Sequence, residues 1–228
     1  MPTAPPSKAV SLLFIGNSFT QRNNLPKLIA DMAAERALIV KQQLVSVGGA
    51  SLRTHWNAGR AAALIKSGKF DYVVLQEQST LPVKNATRMA ENVELFHEVI
   101  AKAGSKLVLY MTWPREHSPD HHKLIERAYK SIGNKLGAMM VPAGTAWKKF
   151  RTRYACPNLY DVDQSHPSPA GSYLVACVFL ATLLNANPIG LKCRSRDLTQ
   201  SEAEIIQRFA AKQLGRVRKQ SAATSRND

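Results

Sequence analysis

The chain has 228 residues, of which 45% are hydrophobic and 21% are charged. This balance is typical of one globular domain with a sizeable core, and it excludes a protein dominated by low complexity or disorder. The 31 basic and 16 acidic residues give a formal net charge of +15, which could attract nucleic acid, anionic lipid or an acidic polymer. Because no aromatic residue is interleaved with the basic C-terminal residues, we interpret the charge as a solvated surface and do not expect a nucleic-acid partner.

The first residues, 1–8, are polar and proline-rich, and we predict that they are flexible. The apolar run that follows, residues 9–16, is too short for the core of a signal peptide and is predicted to be a buried strand. No other apolar run approaches the roughly 18 residues that would span a bilayer. The sequence therefore predicts a cytoplasmic protein without a membrane span.

Apolar runs with the pattern of buried strands alternate along the chain with stretches of helical period. The predicted strands cover residues 11–15, 39–47, 72–75, 106–110 and 138–141. The predicted helices cover residues 25–37, 52–67, 85–103, 120–136, 169–184 and 201–214. Ser168 before Pro169, and Thr199 with Glu202, are start signals for the last two helices. The alternation predicts an α/β fold, with one three-layer αβα domain over residues 9–218, a central five-stranded parallel sheet, and a disordered basic tail over residues 219–228.

Ligands of such a sheet bind at the carboxyl ends of its strands, so the turns that follow the strands are the first places to look for a site. Ser18 follows the first predicted strand within Gly-Asn-Ser, where its hydroxyl can project from the sheet edge and its N–H is available to an oxyanion. Gly49 follows the second strand, where glycine lets the backbone approach a ligand closely. Each motif taken alone is also compatible with an ordinary turn.

Two further polar segments fall at the same predicted edge. Gln78 lies in the Gln-Glu-Gln-Ser series after the third strand, and its amide could donate a hydrogen bond to a developing oxyanion. Asp163 precedes His166 by three positions, a spacing that lets the carboxylate accept from one imidazole nitrogen while the other faces a serine. Hydrogen bonds to neighbouring loops are the alternative interpretation of both segments.

Other polar and aromatic residues have more than one interpretation. Trp113 and Arg115 follow the fourth strand and could form a pocket wall, although packing would also explain the tryptophan. Glu77 could be a second acid or a buried carboxylate that supports its loop. The segment from His117 to His122 contains residue types that bind metals, but it has the composition of a polar loop that opens a helix. We therefore predict no metal and no cofactor.

In chain order, Gly16-Asn17-Ser18, Gly49, Gln78 and the Asp163–His166 pair resemble the four sequence blocks of the SGNH/GDSL hydrolases. The resemblance spans residues 16–166 and is closest to a divergent bacterial branch of the family. It departs from the family pattern in two places, because Asn17 replaces the usual aspartate and Gln78 stands where the third block usually has an asparagine.

The resemblance implies a flavodoxin-like SGNH fold and a serine esterase mechanism. Ser18 would be the nucleophile, His166 the base, and Asp163 the residue that orients the base. The N–H groups of Ser18 and Gly49 and the amide of Gln78 would form the oxyanion hole.

From their positions after the predicted strands, Asn17, Glu77, Trp113 and Arg115 are candidate residues of the substrate pocket. The expected activity is hydrolysis of carboxylic esters, with small acyl groups such as acetyl on carbohydrates or other small alcohols. Two alternatives stay open: lipase, thioesterase or acyltransferase chemistry on the same fold, and a non-catalytic module that binds acidic polymers.

Overall fold

The computed structural model describes residues 9–224, with side chains described as far as residue 212. Five parallel strands form one sheet in the order β2-β1-β3-β4-β5. The strands are β1 (Val10–Gly16), β2 (Val40–Ser46), β3 (Tyr72–Leu75), β4 (Lys106–Tyr110) and β5 (Met139–Val141). Helices cover both faces of the sheet, which confirms the predicted three-layer αβα class.

The helices follow the strands in alternation, as the hydrophobic period predicts. They are α1 (Ser18–Gln21), α2 (Leu25–Ala34), α3 (Leu52–Asn57), α4 (Arg60–Ser67), α5 (Leu81–Lys84), α6 (Ala86–Lys102), α7 (His121–Leu136), α8 (Ala143–Arg153), α9 (Pro169–Thr182) and α10 (Gln200–Thr224). The helix predicted over residues 52–67 is divided in two, because Gly59 adopts a left-handed conformation with φ of 74°. Helix α8 has no counterpart in the prediction.

The start signals of the last two helices act as predicted. The hydroxyl of Ser168 accepts a hydrogen bond from the N–H of Gly171, 3.1 Å away. Thr199 and Glu202 form a reciprocal capping box at the start of α10. This helix extends through Thr224, beyond the predicted end. The predicted flexible segment 1–8, and residues 225–228 of the predicted tail, lie outside the described residues.

The sheet separates two apolar layers. One layer packs under α2, α8, α9 and the first turns of α10, and the other packs under α3, α4, α6 and α7. Helix α9 is buried along almost its whole length, so it is a central element of the core rather than an amphipathic surface helix. Within the part of the chain that the structure describes, no helix is long and apolar enough to cross a membrane.

The strand order brings the predicted site together. Strand β1 lies between β2 and β3. The connection from β1 to β2 therefore runs to one side of β1, and the connection from β2 to β3 crosses back to its other side. In parallel sheets this reversal opens a crevice at the carboxyl ends of the central strands. The turns after β1, β2 and β3 therefore lie side by side along one edge.

Candidate active site

Three side chains form a hydrogen-bonded chain at the carboxyl edge of the sheet. Ser18 begins α1 directly after β1, and its Oγ lies 2.8 Å from Nε2 of His166. Nδ1 of His166 is hydrogen-bonded to the carboxylate of Asp163. Although Ser18 and His166 are 148 positions apart in the sequence, the fold places them in direct contact. Such an arrangement allows the imidazole to take a proton from the serine while the carboxylate fixes the ring.

Asp163 is held in its ionised form by its neighbours. Burial alone would raise the pKa of this carboxyl, but hydrogen bonds from the His166 ring, the His166 N–H and the Ser165 N–H outweigh it and lower the pKa to about 2. The two backbone N–H groups donate to Oδ1 at 2.9 and 3.0 Å, which leaves Oδ2 for the ring. Asp163 therefore carries a negative charge at neutral pH.

The loop that carries Asp163 and His166 is tied to the segment that carries Ser18. A bridge between Tyr160 and Pro167 closes the base of the loop. Arg22, just after α1, donates to the carboxylate of Asp161 at 2.6 Å, and the amide of Asn23 donates to the carbonyl of Pro167 at 3.1 Å. These bonds fix the separation between the serine and the histidine.

Asn17 organises the turn before the serine rather than lining a pocket. Its side chain is 1% exposed. The amide oxygen accepts from the N–H of Phe19 at 3.1 Å and so caps α1, and the amide nitrogen donates to the carbonyl of Ala50 at 3.0 Å. The side chain thus joins the turn after β1 to the turn after β2, and both of its polar ends are occupied.

Gln76 is a positioning residue that the sequence-based prediction missed. Its side-chain oxygen accepts from the N–H of Asn17 and from the hydroxyl of Thr20, each at 2.9 Å. On the other side of the turn, Nε2 of His55 donates to the carbonyl of Gly16 at 2.7 Å, and burial lowers the pKa of this histidine. The sequence signal for Gln76 is its position directly after β3. The prediction selects Gln78 instead, because Gln78 could replace the family's asparagine.

Two of the predicted oxyanion donors are backbone groups without an acceptor among the described residues. Ser18 occupies the first helical position of α1, where an N–H has no partner within the helix. Gly49 has φ of 68° in a turn that is closed by a 3.1 Å hydrogen bond from Ala50 N–H to the carbonyl of Val47. This left-handed conformation favours glycine. Both N–H groups are therefore available to a ligand.

The third predicted donor, Gln78, uses one end of its amide in the structure. Its oxygen accepts from the N–H and the hydroxyl of Thr80 at 2.9 and 3.0 Å, and from the N–H of Leu81 at 2.9 Å. These bonds satisfy the backbone N–H groups at the start of α5. The NH₂ group makes no hydrogen bond among the described residues, so Gln78 keeps the donor that the prediction requires.

Glu77 stabilises this loop from the protein interior and does not line the substrate pocket predicted from the sequence. It is fully buried, and its carboxylate accepts from the N–H groups of Leu52 and Gln78 at 3.0 and 2.7 Å and from the amide of Asn92 at 2.8 Å. Arg53 in turn donates to the oxygen of Asn92 at 3.0 Å. Burial raises the pKa of Glu77, and the three hydrogen bonds and the Arg53 charge oppose the rise. Both of its carboxylate oxygens thus accept hydrogen bonds from protein groups.

A pocket of about 220 Å³ adjoins the Ser18–His166 pair. Phe19 forms one wall, with its ring centroid 5.2 Å from that of His166 and 5.1 Å from that of Trp113. Trp113 is buried and donates from Nε1 to the carbonyl of Ser165 at 3.2 Å. Arg115 is exposed at the rim. The two residues predicted from the turn after β4 thus both lie at this pocket.

The histidine-rich segment around the start of α7 contributes to the pocket wall. His117 and His121 line the pocket, whereas His122 is buried with Nε2 3.6 Å from a carboxylate oxygen of Glu126. Over the described residues, no three or more histidine, cysteine, aspartate or glutamate side chains are grouped so that they could hold a metal ion.

Comparison with known proteins connects this geometry to a family. A scan against protein-family models and a search of curated proteins found no match. Among solved structures, a candidate SGNH hydrolase from Slackia heliotrinireducens is 30% identical, with a TM-score of 0.65 over 77% of this chain and 100% of that one. A DUF4886 family protein from Bacteroides uniformis is 20% identical, with a TM-score of 0.72 over 90% of this chain and 94% of that one.

The acetylxylan esterase Axe2 from Geobacillus stearothermophilus is 17% identical, with a TM-score of 0.58 over 84% of this chain and 99% of that one. At these identities, the Bacteroides and Geobacillus proteins show the fold alone. The fold and the more similar Slackia protein define the class of this chain, which is that of a hydrolase. The chain belongs to the SGNH/GDSL hydrolase family.

Proposed function

We propose that the protein is an esterase that removes small acyl groups, such as acetyl, from carbohydrates or other small alcohols. The observation that carries this proposal is the hydrogen-bonded chain from Ser18 through His166 to Asp163, with Ser18 Oγ 2.8 Å from the imidazole. It supplies a nucleophile, a base and a group that orients the base at one sheet edge.

In the proposed reaction, Ser18 Oγ attacks the ester carbonyl carbon and transfers its proton to Nε2 of His166. The carbonyl oxygen becomes an oxyanion that receives hydrogen bonds from the N–H groups of Ser18 and Gly49 and from the NH₂ of Gln78. The alcohol leaves with the proton from His166, which gives an acyl-serine. Water, deprotonated by His166, then attacks this acyl group, and the acid and free Ser18 are released.

The size of the pocket favours a small acyl group. At about 220 Å³ it is below the range of roughly 300–1,000 Å³ that is usual for drug-sized ligands. A long lipid chain would have to lie largely outside it. The small volume of the pocket beside Phe19 and Trp113 therefore favours acetyl transfer to water over the lipase and thioesterase alternatives.

A fluorophosphonate probe and an acetyl ester provide the direct test. We expect the probe to label Ser18, and p-nitrophenyl acetate to be hydrolysed with a loss of about 10⁶ in kcat for Ser18→Ala, because the three groups act as a unit. Ser79→Ala is the matched control, since Ser79 lines the same pocket but belongs to no such chain. Hydrolysis that survives Ser18→Ala would exclude the mechanism.

A further inference from the structure

A second pocket, of about 290 Å³, lies beside the first. Pro114 lines both pockets. Trp113 of the first pocket stacks on Trp147 of the second, with ring centroids 3.8 Å apart and planes inclined by 4°. Tyr160, also in the second pocket, donates from its hydroxyl to the carbonyl of Pro114 at 2.7 Å. The two pockets are thus separated by one braced segment that contains Pro114.

The second pocket has apolar walls and a basic rim. Trp147 and Tyr160 form walls, while Lys148 and Arg151 line the pocket from α8 and are exposed. Lys148 has no ion-pair partner over the part of the chain whose side chains are described. The pocket therefore offers an apolar surface next to an unneutralised positive charge.

The two helices that flank this pocket concentrate positive charge. Helix α8 contains four basic residues and no acidic one, and α7, which packs against it, contains a single acidic residue. Two acidic residues near these helices are already paired, because Glu116 accepts from Arg151 at 2.6 Å and Glu126 lies 2.8 Å from Lys130. Seven exposed basic residues of these two helices, named here the basic face, are Lys123, Arg127, Lys130, Lys148, Lys149, Arg151 and Arg153.

We propose that the natural substrate is an acyl ester on an acidic polysaccharide that extends from the first pocket across Pro114 into the second. This inference rests on the proposed esterase function and specifies its substrate class. The acyl group would enter the pocket beside Ser18. A neighbouring acidic sugar would place its ring against the apolar walls and its carboxylate beside Lys148.

An acidic polysaccharide explains the second pocket better than a nucleic acid does. Single strands bind by stacking bases on exposed aromatic rings along a basic groove. The aromatic residues here are 1% and 4% exposed for Trp147 and Tyr160, and the face of Tyr160 is covered by the guanidinium of Arg151 at 4.8 Å. The walls can contact the edge of a sugar ring but present no stacking platform.

The test compares partially acetylated polygalacturonate with a partially acetylated galactan prepared from it by reducing each carboxyl group to a primary alcohol, so that the linkage is the same and only the carboxylate differs. At low salt we expect kcat/KM for acetate release to be at least about tenfold higher on the acidic polymer, because a basic surface raises local substrate concentration. The preference is expected to disappear in about 1 M NaCl, where the Debye length is about 3 Å.

Lys148→Glu should reduce the preference for the acidic polymer by roughly tenfold, as expected for reversing a charge near the ligand. Lys66→Glu is the matched control, because Lys66 is exposed on α4, which packs against α6 rather than the basic face, and its variant should keep the preference. Equal rates on both polymers, an undiminished preference in Lys148→Glu, or polynucleotide that competes as well as polygalacturonate would each overturn the inference.

Failure of the inference can be distinguished from failure of the esterase proposal. If p-nitrophenyl acetate is hydrolysed but the polymers show no charge preference, only the substrate class is wrong. If neither p-nitrophenyl acetate nor the polymers are hydrolysed, the esterase function fails and the substrate class fails with it.

Discussion

The side-chain oxygen of Gln76 fills the space in which a side chain on Gly16 would lie. A Cβ added to Gly16 would be 2.6 Å from this oxygen and 2.7 Å from Oγ1 of Thr20. The same oxygen accepts the N–H of Asn17, so the conformation of the turn before Ser18 depends on the absence of a side chain at position 16.

Gly16→Ala should therefore destabilise the protein and displace the nucleophile. We expect the free energy of unfolding to fall by about 1–3 kcal/mol, the usual cost of overpacking a close-packed site, as measured by urea denaturation. Gly48→Ala is the control, because a Cβ added to Gly48 would meet no atom within 4 Å. Equal unfolding free energies for the two variants would contradict the role assigned to the Gly16–Gln76 contact.

Replacing Asn17 with aspartate, the residue usual in the family, should be harmful in this protein. Aspartate can still cap α1, but an ionised carboxylate cannot donate to the carbonyl of Ala50 and would face it with a negative oxygen. We expect a loss of about 1–3 kcal/mol in unfolding free energy at pH 7. The loss should shrink at acidic pH, because a protonated carboxyl regains a donor.

The same substitution at an exposed cap provides its control. Asn85 caps α6 by accepting the N–H of Arg88 at 2.8 Å and is exposed. Asn85→Asp keeps this acceptor and should leave stability nearly unchanged. If Asn17→Asp is as stable as Asn85→Asp at pH 7, the link from Asn17 to Ala50 does not stabilise the fold.

Gln78→Glu separates the two possible roles of Gln78. Glutamate keeps the oxygen that accepts from Thr80 and Leu81 but lacks the NH₂ donor. If the amide stabilises the oxyanion, kcat for an acetyl ester should fall by about 10² to 10³ in both Gln78→Glu and Gln78→Ala. If Gln78 only caps α5, Gln78→Glu will retain wild-type kcat while Gln78→Ala will not. Steady-state kinetics on p-nitrophenyl acetate decides between them.

Asp163→Asn should lower kcat by about 10⁴, because an amide cannot hold the imidazole tautomer that accepts the serine proton. The substitution should also change the dependence of stability on pH. Since the pKa of Asp163 is lowered from 3.8 to about 2 in the folded protein, its ionised form stabilises the fold above about pH 4, and this contribution is lost as the pH falls toward 2. Urea denaturation between pH 2 and 7 should therefore show that wild type and Asp163→Asn converge in acid, and a constant difference would be incompatible with the lowered pKa.

Much of the fold could be predicted because hydrophobic period is a local property. The strands over residues 72–75 and 106–110 match the prediction in full. The prediction lacks α8, although its buried residues Ala143, Ala146, Trp147 and Phe150 have helical spacing, because the four basic residues among and after them are interpreted as a charged surface. The helix predicted over residues 52–67 is interrupted at Gly59. Hydrophobic period is averaged over many residues, so it does not reveal a single residue in the left-handed conformation.

The sequence by itself determined which residues could do chemistry, because reactive side chains and a reversed glycine turn are recognisable from residue type, position after a strand and order along the chain. Ser18, Gly49, Asp163 and His166 were found in this way. Only the tertiary structure decided which polar groups are already bound. Asn17 and Glu77 are buried and make hydrogen bonds within the protein. Gln76 accepts the N–H of Asn17 and so stabilises the turn before Ser18. The tertiary structure also sets the charge of α8 beside the second pocket, which adjoins the pocket next to Ser18. Hydrogen-bond partners and the position of a charged surface are fixed by contacts between segments that are distant in the sequence.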